Sequence, residues 1–271
     1  FKKMVIADNL APLVDAIFEL EQAPSGGQCL LALYAFAFQI YCDFSGYTDI
    51  ARGLARLMGF QLALNFALPY MACNPVEFWQ RWHISLSTWF RDYLYIPLGG
   101  NRHGVWKTCR NLLLTMLLGG LWHGAAWNFI IWGLYHGVLL VLYRLWAILR
   151  PARVPDAAQR AGGLVSGVVM FHFTCLGWLF FRASSAEQII GFLAQIFTNL
   201  SFNHAAATMV FPVVFFSGIL WVFELWLRNS DDPRLRPGWN RGLGPLTVSV
   251  LMLSIMFLAA GKWQQFIYFQ F

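Results

Sequence analysis

Charged side chains are scarce in this sequence. Asp, Glu, Lys and Arg make up only 12% of its 271 residues, about half the share found in soluble domains. Hydrophobic residues make up 58%, and several uncharged stretches are long enough, at about 20 residues, to cross a membrane as helices. The clearest are residues 164–181, 205–223 and 242–261. This composition argues against a soluble domain and predicts an all-α, polytopic integral membrane protein.

The motifs of several large functional classes are also missing. The five cysteines are scattered among apolar residues without a CxxC pair, so neither a zinc site nor a disulfide framework is indicated. The sequence has no HExxH, no GxSxG and no glycine-rich phosphate loop, which removes support for soluble metalloproteases, hydrolases and kinases. We therefore expect no metal site and no bound cofactor.

The net charge of +6 does not require a nucleic-acid partner, because membrane proteins concentrate Lys and Arg in their cytoplasmic loops. Basic residues within 150–160 and 228–241 mark two such loops. We predict a single membrane domain over residues 1–271, with a motif-bearing core at 41–137 and further transmembrane helices at 164–262.

An aromatic stripe marks the segment "EFWQRWHISLSTWFRDYLYIPLGGN" at residues 77–101. Its large side chains recur every three or four residues, which is the spacing of one helical face: Trp79, Trp82, Leu86, Trp89 and Tyr93. The pattern predicts one short amphipathic helix in an interfacial or re-entrant position.

The uncharged stretch between Arg110 and Arg144 is too long for one span, since a straight helix of that length would measure about 50 Å. The glycines at 119, 120 and 124 are the natural place for a break. We predict a half-length helix at 111–122 and a full one at 125–143. His123 would then lie at the joint, near the middle of the bilayer.

Histidines inside such segments are candidates for chemistry, because ionisable groups are costly in a membrane. A desolvated imidazole stays neutral and can accept a proton, which suits His123 as a general base. A histidine bonded to a backbone carbonyl explains His123 equally well. For His83, an interfacial position is favoured over catalysis on the residues alone. His136 lies 13 residues after His123, on a different face of a common helix, and is interpreted as packing.

Three segments carry a resemblance to a known family: "YCDFSGYTDIARGLARLMGF", "EFWQRWHISLSTWFRDYLYIPLGGN" and "NLLLTMLLGGLWHGAAWNFIIWGLYHG". They resemble the membrane-bound O-acyltransferase (MBOAT) family, and within it the bacterial branch that O-acetylates exported polysaccharides such as alginate. Members are much longer than this chain, so we expect it to correspond to their C-terminal part.

The resemblance implies an enzyme of the bacterial inner membrane with a central cavity that reaches His123. In "LWHG", His123 matches the family's catalytic histidine, and His83, in "RWHISLS", matches the second histidine of the bacterial members. The implied donor is acetyl-CoA or another cytoplasmic thioester. Arg81, Trp82 and Arg91 are candidates for the wall that receives it. The implied partners are membrane lipid, a polysaccharide acceptor and a periplasmic acetyltransferase-type protein.

Several alternatives stay open at the level of sequence. His123 could act as a general base or accept the acyl group itself, and His83 could stabilise the oxyanion or orient the thioester. A transporter or proton channel would also place polar groups inside membrane helices, and a non-catalytic scaffold that recruits an external acetyltransferase is a third alternative. Transporters often contain internal repeats, and none is visible here.

Overall fold

The computed structural model describes residues 1–20, 23–149, 156–227, 243–261 and 265–267. Every regular element within these ranges is helical, which confirms the all-α prediction. The α-helices are α1 (Asp8–Phe18), α2 (Gly26–Leu57), α3 (Pro75–Arg81), α4 (Ile84–Phe90), α5 (Val105–His123), α6 (Trp127–Leu149), α7 (Asp156–Arg182), α8 (Ala186–Thr198), α9 (His204–Leu227) and α10 (Leu243–Leu258).

Four segments within the described residues are long and apolar enough to cross a membrane: Gly26–Leu57, Trp127–Leu149, Gly163–Arg182 and His204–Leu225. They confirm a multi-pass membrane protein and the spans predicted at 164–181 and 205–223. The third clear stretch forms only the 16-residue α10, which would extend about 24 Å. The predicted cytoplasmic loops at 150–160 and 228–241 fall largely outside the described residues.

The helices form two compact units, one of residues 1–62 and 190–271 and the other of residues 63–189. In the first unit, Ser25 and Gln28 form a reciprocal cap at the start of α2. The Lys3 ammonium, on the π-helical turn at Lys2–Ala7, lies 2.9 Å from the Asp8 carboxylate and 2.7 Å from that of Asp43. This buried ion triad ties the turn to α1 and α2.

In the second unit, α5 and α6 form a close helical hairpin. A Cβ added at Gly133 would overlap the Met116 carbonyl oxygen and lie 3.2 Å from the Gly120 Cα. Small residues permit such backbone approach between membrane helices. Gly120 is therefore a packing residue inside α5, and the chain breaks later, at Gly124, which ends the helix.

The predicted half-length helix at 111–122 is wrong. Helix α5 begins at Val105 and has 19 residues, because Lys107 and Arg110 are accommodated within the helix and do not end it. At about 28 Å, α5 is nearly as long as the hydrocarbon core is thick. The half-length helix that placed His123 at mid-bilayer is therefore absent. The predicted joint is confirmed, since His123 is the last residue of α5 and α6 starts at Trp127.

The single amphipathic helix predicted at 77–101 is also wrong. Its chain is divided into α3, α4 and a π-helical turn at Arg91–Tyr95. Trp82 is extended and buried, and His83 adopts the left-handed conformation with φ 44°. A non-glycine residue in that conformation ends the α-helix, so the stripe of aromatic side chains is not one continuous face.

Candidate functional site

A cavity of about 520 Å³ lies within the second unit, a volume in the range of roughly 300–1,000 Å³ typical of ligand pockets. Its walls are mostly apolar and aromatic, formed by side chains including Trp79, Ile84, Leu86, Phe90, Leu112, Met116 and Trp132. Polar side chains are interspersed among them: Ser87, Thr88, Asn101, Thr108, Thr115 and Tyr143. Two cations, Arg91 and Arg144, also line it.

His123 lines this cavity from the C-terminal end of α5. Aromatic rings surround its imidazole, with centroids 5.0 Å away for Trp132 and 5.2 Å away for Phe181, both edge-on. The side chain is partly buried. The imidazole therefore lies at the wall of a mostly apolar cavity and is held by rings on two helices.

His83 lies at the sharp bend between α3 and α4, next to the cavity-lining Ile84. His83 is not itself among the lining residues. It lies close enough to His123 for the two imidazoles to repel each other when both are protonated, so the bend brings the two sequence-predicted histidines near one another. Burial lowers the pKa of His83 to about 4 from its ordinary 6.5. The imidazole is therefore neutral near pH 7.

Asn65 holds the His83 bend and was missed at the sequence level. Its side-chain Oδ1 lies 3.2 Å from His83 Nδ1 and accepts hydrogen bonds from the Ser85 backbone N–H at 3.1 Å and the Ser85 hydroxyl at 3.0 Å. The backbone carbonyl of Asn65 accepts a hydrogen bond from the Ile84 N–H at 2.9 Å. An asparagine 18 residues before the histidine, in an irregular segment, carries no periodic signal that could have identified it.

Of the three residues suggested as a wall for the acyl donor, Arg81, Trp82 and Arg91, only Arg91 lines the cavity. Arg91 lines the cavity and forms an ion pair with Asp92 at 2.7 Å. Arg81 is not among the lining residues; it pairs with Glu77 at 2.6 Å and donates to the Ala67 carbonyl at 3.2 Å.

Trp82 is not a lining residue either. It is 2% exposed and packs against the rings of Phe66 at 5.0 Å and Trp178 at 4.7 Å. The aromatic cluster around Trp82 fixes the bend at which His83 lies.

His136 on α6 is 1% exposed and lies between Trp79 and Trp132, with ring centroids 5.1 Å and 5.0 Å away. Its ring therefore contacts Trp132, which also contacts His123, but it does not line the cavity. This burial agrees with its interpretation as a packing residue. Among the described residues, no group of three or more His, Cys, Asp or Glu is arranged to hold a metal ion.

The fold and the site define a multi-pass helical membrane protein with a histidine at the wall of an apolar cavity. Residues 27–186 match the model of the MBOAT, membrane-bound O-acyltransferase family. The chain belongs to this family, as its motifs predict.

Named relatives agree with this assignment. The chain is 49% identical over 197 residues to "Probable alginate O-acetylase AlgI" of Azotobacter vinelandii, a match that covers 73% of this chain and 38% of that protein. A protein of the same name from Pseudomonas putida is 40% identical over 100% of this chain and 59% of its own length. The "Peptidoglycan O-acetyltransferase" of Helicobacter pylori is 34% identical, over 100% of this chain and 54% of its own length. The chain thus spans between about a third and three fifths of these relatives.

Proposed function

We propose that the full-length protein is a membrane-bound O-acyltransferase that moves an acetyl group from a thioester to hydroxyl groups of an exported polysaccharide such as alginate. The observation that carries the proposal is the placement of His123 on the wall of a mostly apolar cavity of about 520 Å³. Family membership and the names of the relatives support the reaction class.

In the proposed reaction, His123 takes the proton of the acceptor hydroxyl as its oxygen attacks the thioester carbonyl carbon. The new C–O bond forms, the C–S bond breaks, and the departing thiolate receives the proton from the imidazolium. The proton of the acceptor hydroxyl therefore reaches the thiolate through one imidazole, and no redox partner is needed. The apolar walls exclude water, which would otherwise compete with the acceptor for the acyl group.

The donor is a cytoplasmic thioester such as acetyl-CoA. The guanidinium groups of Arg91 and Arg144 at the cavity suit an anionic carrier, because Arg binds phosphate well. We place the protein in the bacterial inner membrane, in contact with lipid. The acceptor hydroxyl belongs either to a sugar of the polymer or to a carrier residue on a periplasmic acetyltransferase-type partner, which would then complete transfer to the polymer.

A non-catalytic scaffold is the second candidate, and a transporter the third. A scaffold should tolerate loss of the His123 imidazole, and a transporter should move acetyl or sugar without any acyl transfer. The proposed enzyme requires His123 and transfers the acyl group.

The test is made in the full-length protein in its native membrane. His123→Ala and His123→Gln should each abolish O-acetyl groups on the exported polysaccharide at unchanged protein level. His204→Gln is the matched control, since His204 is exposed at the start of α9 and is not a cavity residue. Acetylation retained in the His123 variants would reject the catalytic role and favour the scaffold.

A further inference from the structure

The contact between Asn65 and His83 fixes which end of the Asn65 amide faces the imidazole. The Ser85 backbone N–H, 3.1 Å from the amide, can only donate. It therefore requires the carbonyl oxygen Oδ1, and not the NH₂ group, at that position. The Ser85 hydroxyl donates to the same oxygen at 3.0 Å and lies farther, at 3.5 Å, from His83 Nδ1, so its proton is better placed on Oδ1.

The fixed oxygen in turn fixes the proton on the imidazole. Oδ1 accepts hydrogen bonds and cannot donate one, so the 3.2 Å contact with His83 Nδ1 is a hydrogen bond only when Nδ1 carries the proton. In a neutral imidazole the other nitrogen, Nε2, then holds the lone pair. Burial keeps His83 neutral near pH 7, with its pKa lowered to about 4.

The backbone supports the same arrangement. His83 has φ 44° and ψ 55°, a left-handed conformation that is unfavourable for a residue with a side chain. The Ile84 N–H donates to the backbone carbonyl of Asn65 at 2.9 Å, and the Ala67 N–H donates to the backbone carbonyl of Arg81 at 3.0 Å. The Asn65 segment is thus bonded to both sides of the bend, and the strained residue is held by partners on the loop.

We propose that Asn65 is a positioning residue for the reaction, which holds His83 in the Nδ1–H tautomer so that Nε2 acts as a hydrogen-bond acceptor at the site. This inference rests on the proposed function. It assigns His83 to accepting a hydrogen bond from the His123 imidazole N–H, because the single proton of the acceptor hydroxyl passes to His123 in the proposed reaction. It rejects the oxyanion-stabilising role for neutral His83, because that role requires a donor at Nε2.

The experiment is nitrogen NMR on histidine-labelled full-length protein in membranes, with the His83 signal identified by its loss in His83→Gln. We expect a protonated Nδ1 and an unprotonated Nε2 at pH 7. Asn65→Leu should remove this preference and lower acetyl transfer by roughly 10- to 100-fold, as loss of the group that orients a metal-bound histidine does. Asn65→Asp keeps an acceptor oxygen and should restore the Nδ1–H tautomer.

Asn128→Leu is the matched control for the NMR signal, because it removes an asparagine whose amide donates to the Ala183 carbonyl at 3.3 Å. An Nε2–H tautomer in the wild type, or an unchanged His83 signal in Asn65→Leu, would overturn the proposal. If the tautomer is as expected but His83→Gln transfers acetyl at the wild-type rate, the role of Asn65 in the reaction is overturned. Loss of activity in His123→Gln would still support the proposed function in that case.

Discussion

The contact between α5 and α6 offers a sharp test of how the fold positions His123. Gly133→Ala adds one methyl group where α6 lies against α5, with Gly120 Cα 3.2 Å from the new carbon and the Met116 carbonyl oxygen closer still. Carbon atoms in contact prefer separations of about 3.5–4.0 Å. The helices must therefore move apart by roughly 0.5–1 Å.

The expected effect has two parts. Overpacking of this kind costs about 1–3 kcal/mol of stability. Gly120 is three residues from His123 on the same helix, so the displacement is transmitted to the cavity wall. A misplacement of about 1 Å at a catalytic group can lower the rate about 100-fold. We therefore expect Gly133→Ala to insert into the membrane, to unfold at lower temperature and to lose most acetyl transfer.

Thermal unfolding and acetyl transfer are measured on the purified full-length variant. The control is Gly218→Ala on α9, where an added Cβ meets no atom within 4 Å and where Ala is the better helix former by about 1 kcal/mol. Wild-type stability and activity in Gly133→Ala would refute the close packing of α5 on α6 and its role in placing His123.

Two further predictions concern charge. Lys3→Met leaves the Asp8 and Asp43 carboxylates buried without the ammonium that lies 2.9 Å and 2.7 Å from them, so the free energy of unfolding should fall by about 3–5 kcal/mol. Lys2→Met breaks an ion pair whose ammonium and carboxylate side chains are 15% and 50% exposed, so it should cost less than Lys3→Met because the carboxylate that it leaves is half hydrated; equal losses in a denaturant titration would contradict the buried triad. The pKa of His83 in the folded protein is about 4, below its ordinary 6.5, so the unfolded chain binds more protons between those values. Stability should therefore decline as the pH falls through that window, by at most about 3 kcal/mol, and His83→Gln should flatten the decline; an unchanged pH profile in that variant would argue against a buried neutral imidazole.

The sequence carries strong signals for elements that depend on composition alone. Uncharged stretches predict the spans in α7 and α9 because the cost of a charge in hydrocarbon acts on every residue of the stretch. The break after His123 follows from a local excess of glycine. These features can be predicted without knowing which side chains pack against them.

Features that depend on tertiary contact could not be predicted in the same way. Gly120 is indistinguishable from Gly124 in sequence, yet one packs against α6 and the other ends α5. The left-handed backbone of His83 depends on hydrogen bonds to the loop at Asn65, which is distant in sequence. The proposed role of His123 rests on the family motif, because the residues around it predict a structural histidine and a general base equally well.

The most direct measurement of the central claim is acetyl transfer by the purified, full-length protein reconstituted in lipid vesicles. An isotopically labelled acetyl thioester is supplied with the polysaccharide acceptor and any external partner required, and wild type, His123→Gln and His204→Gln are compared in a single turnover. If His123 is the general base, His123→Gln binds the thioester normally but transfers acetyl about 10²- to 10⁴-fold more slowly, and His204→Gln matches the wild type. Transfer by His123→Gln at the wild-type rate would contradict the account.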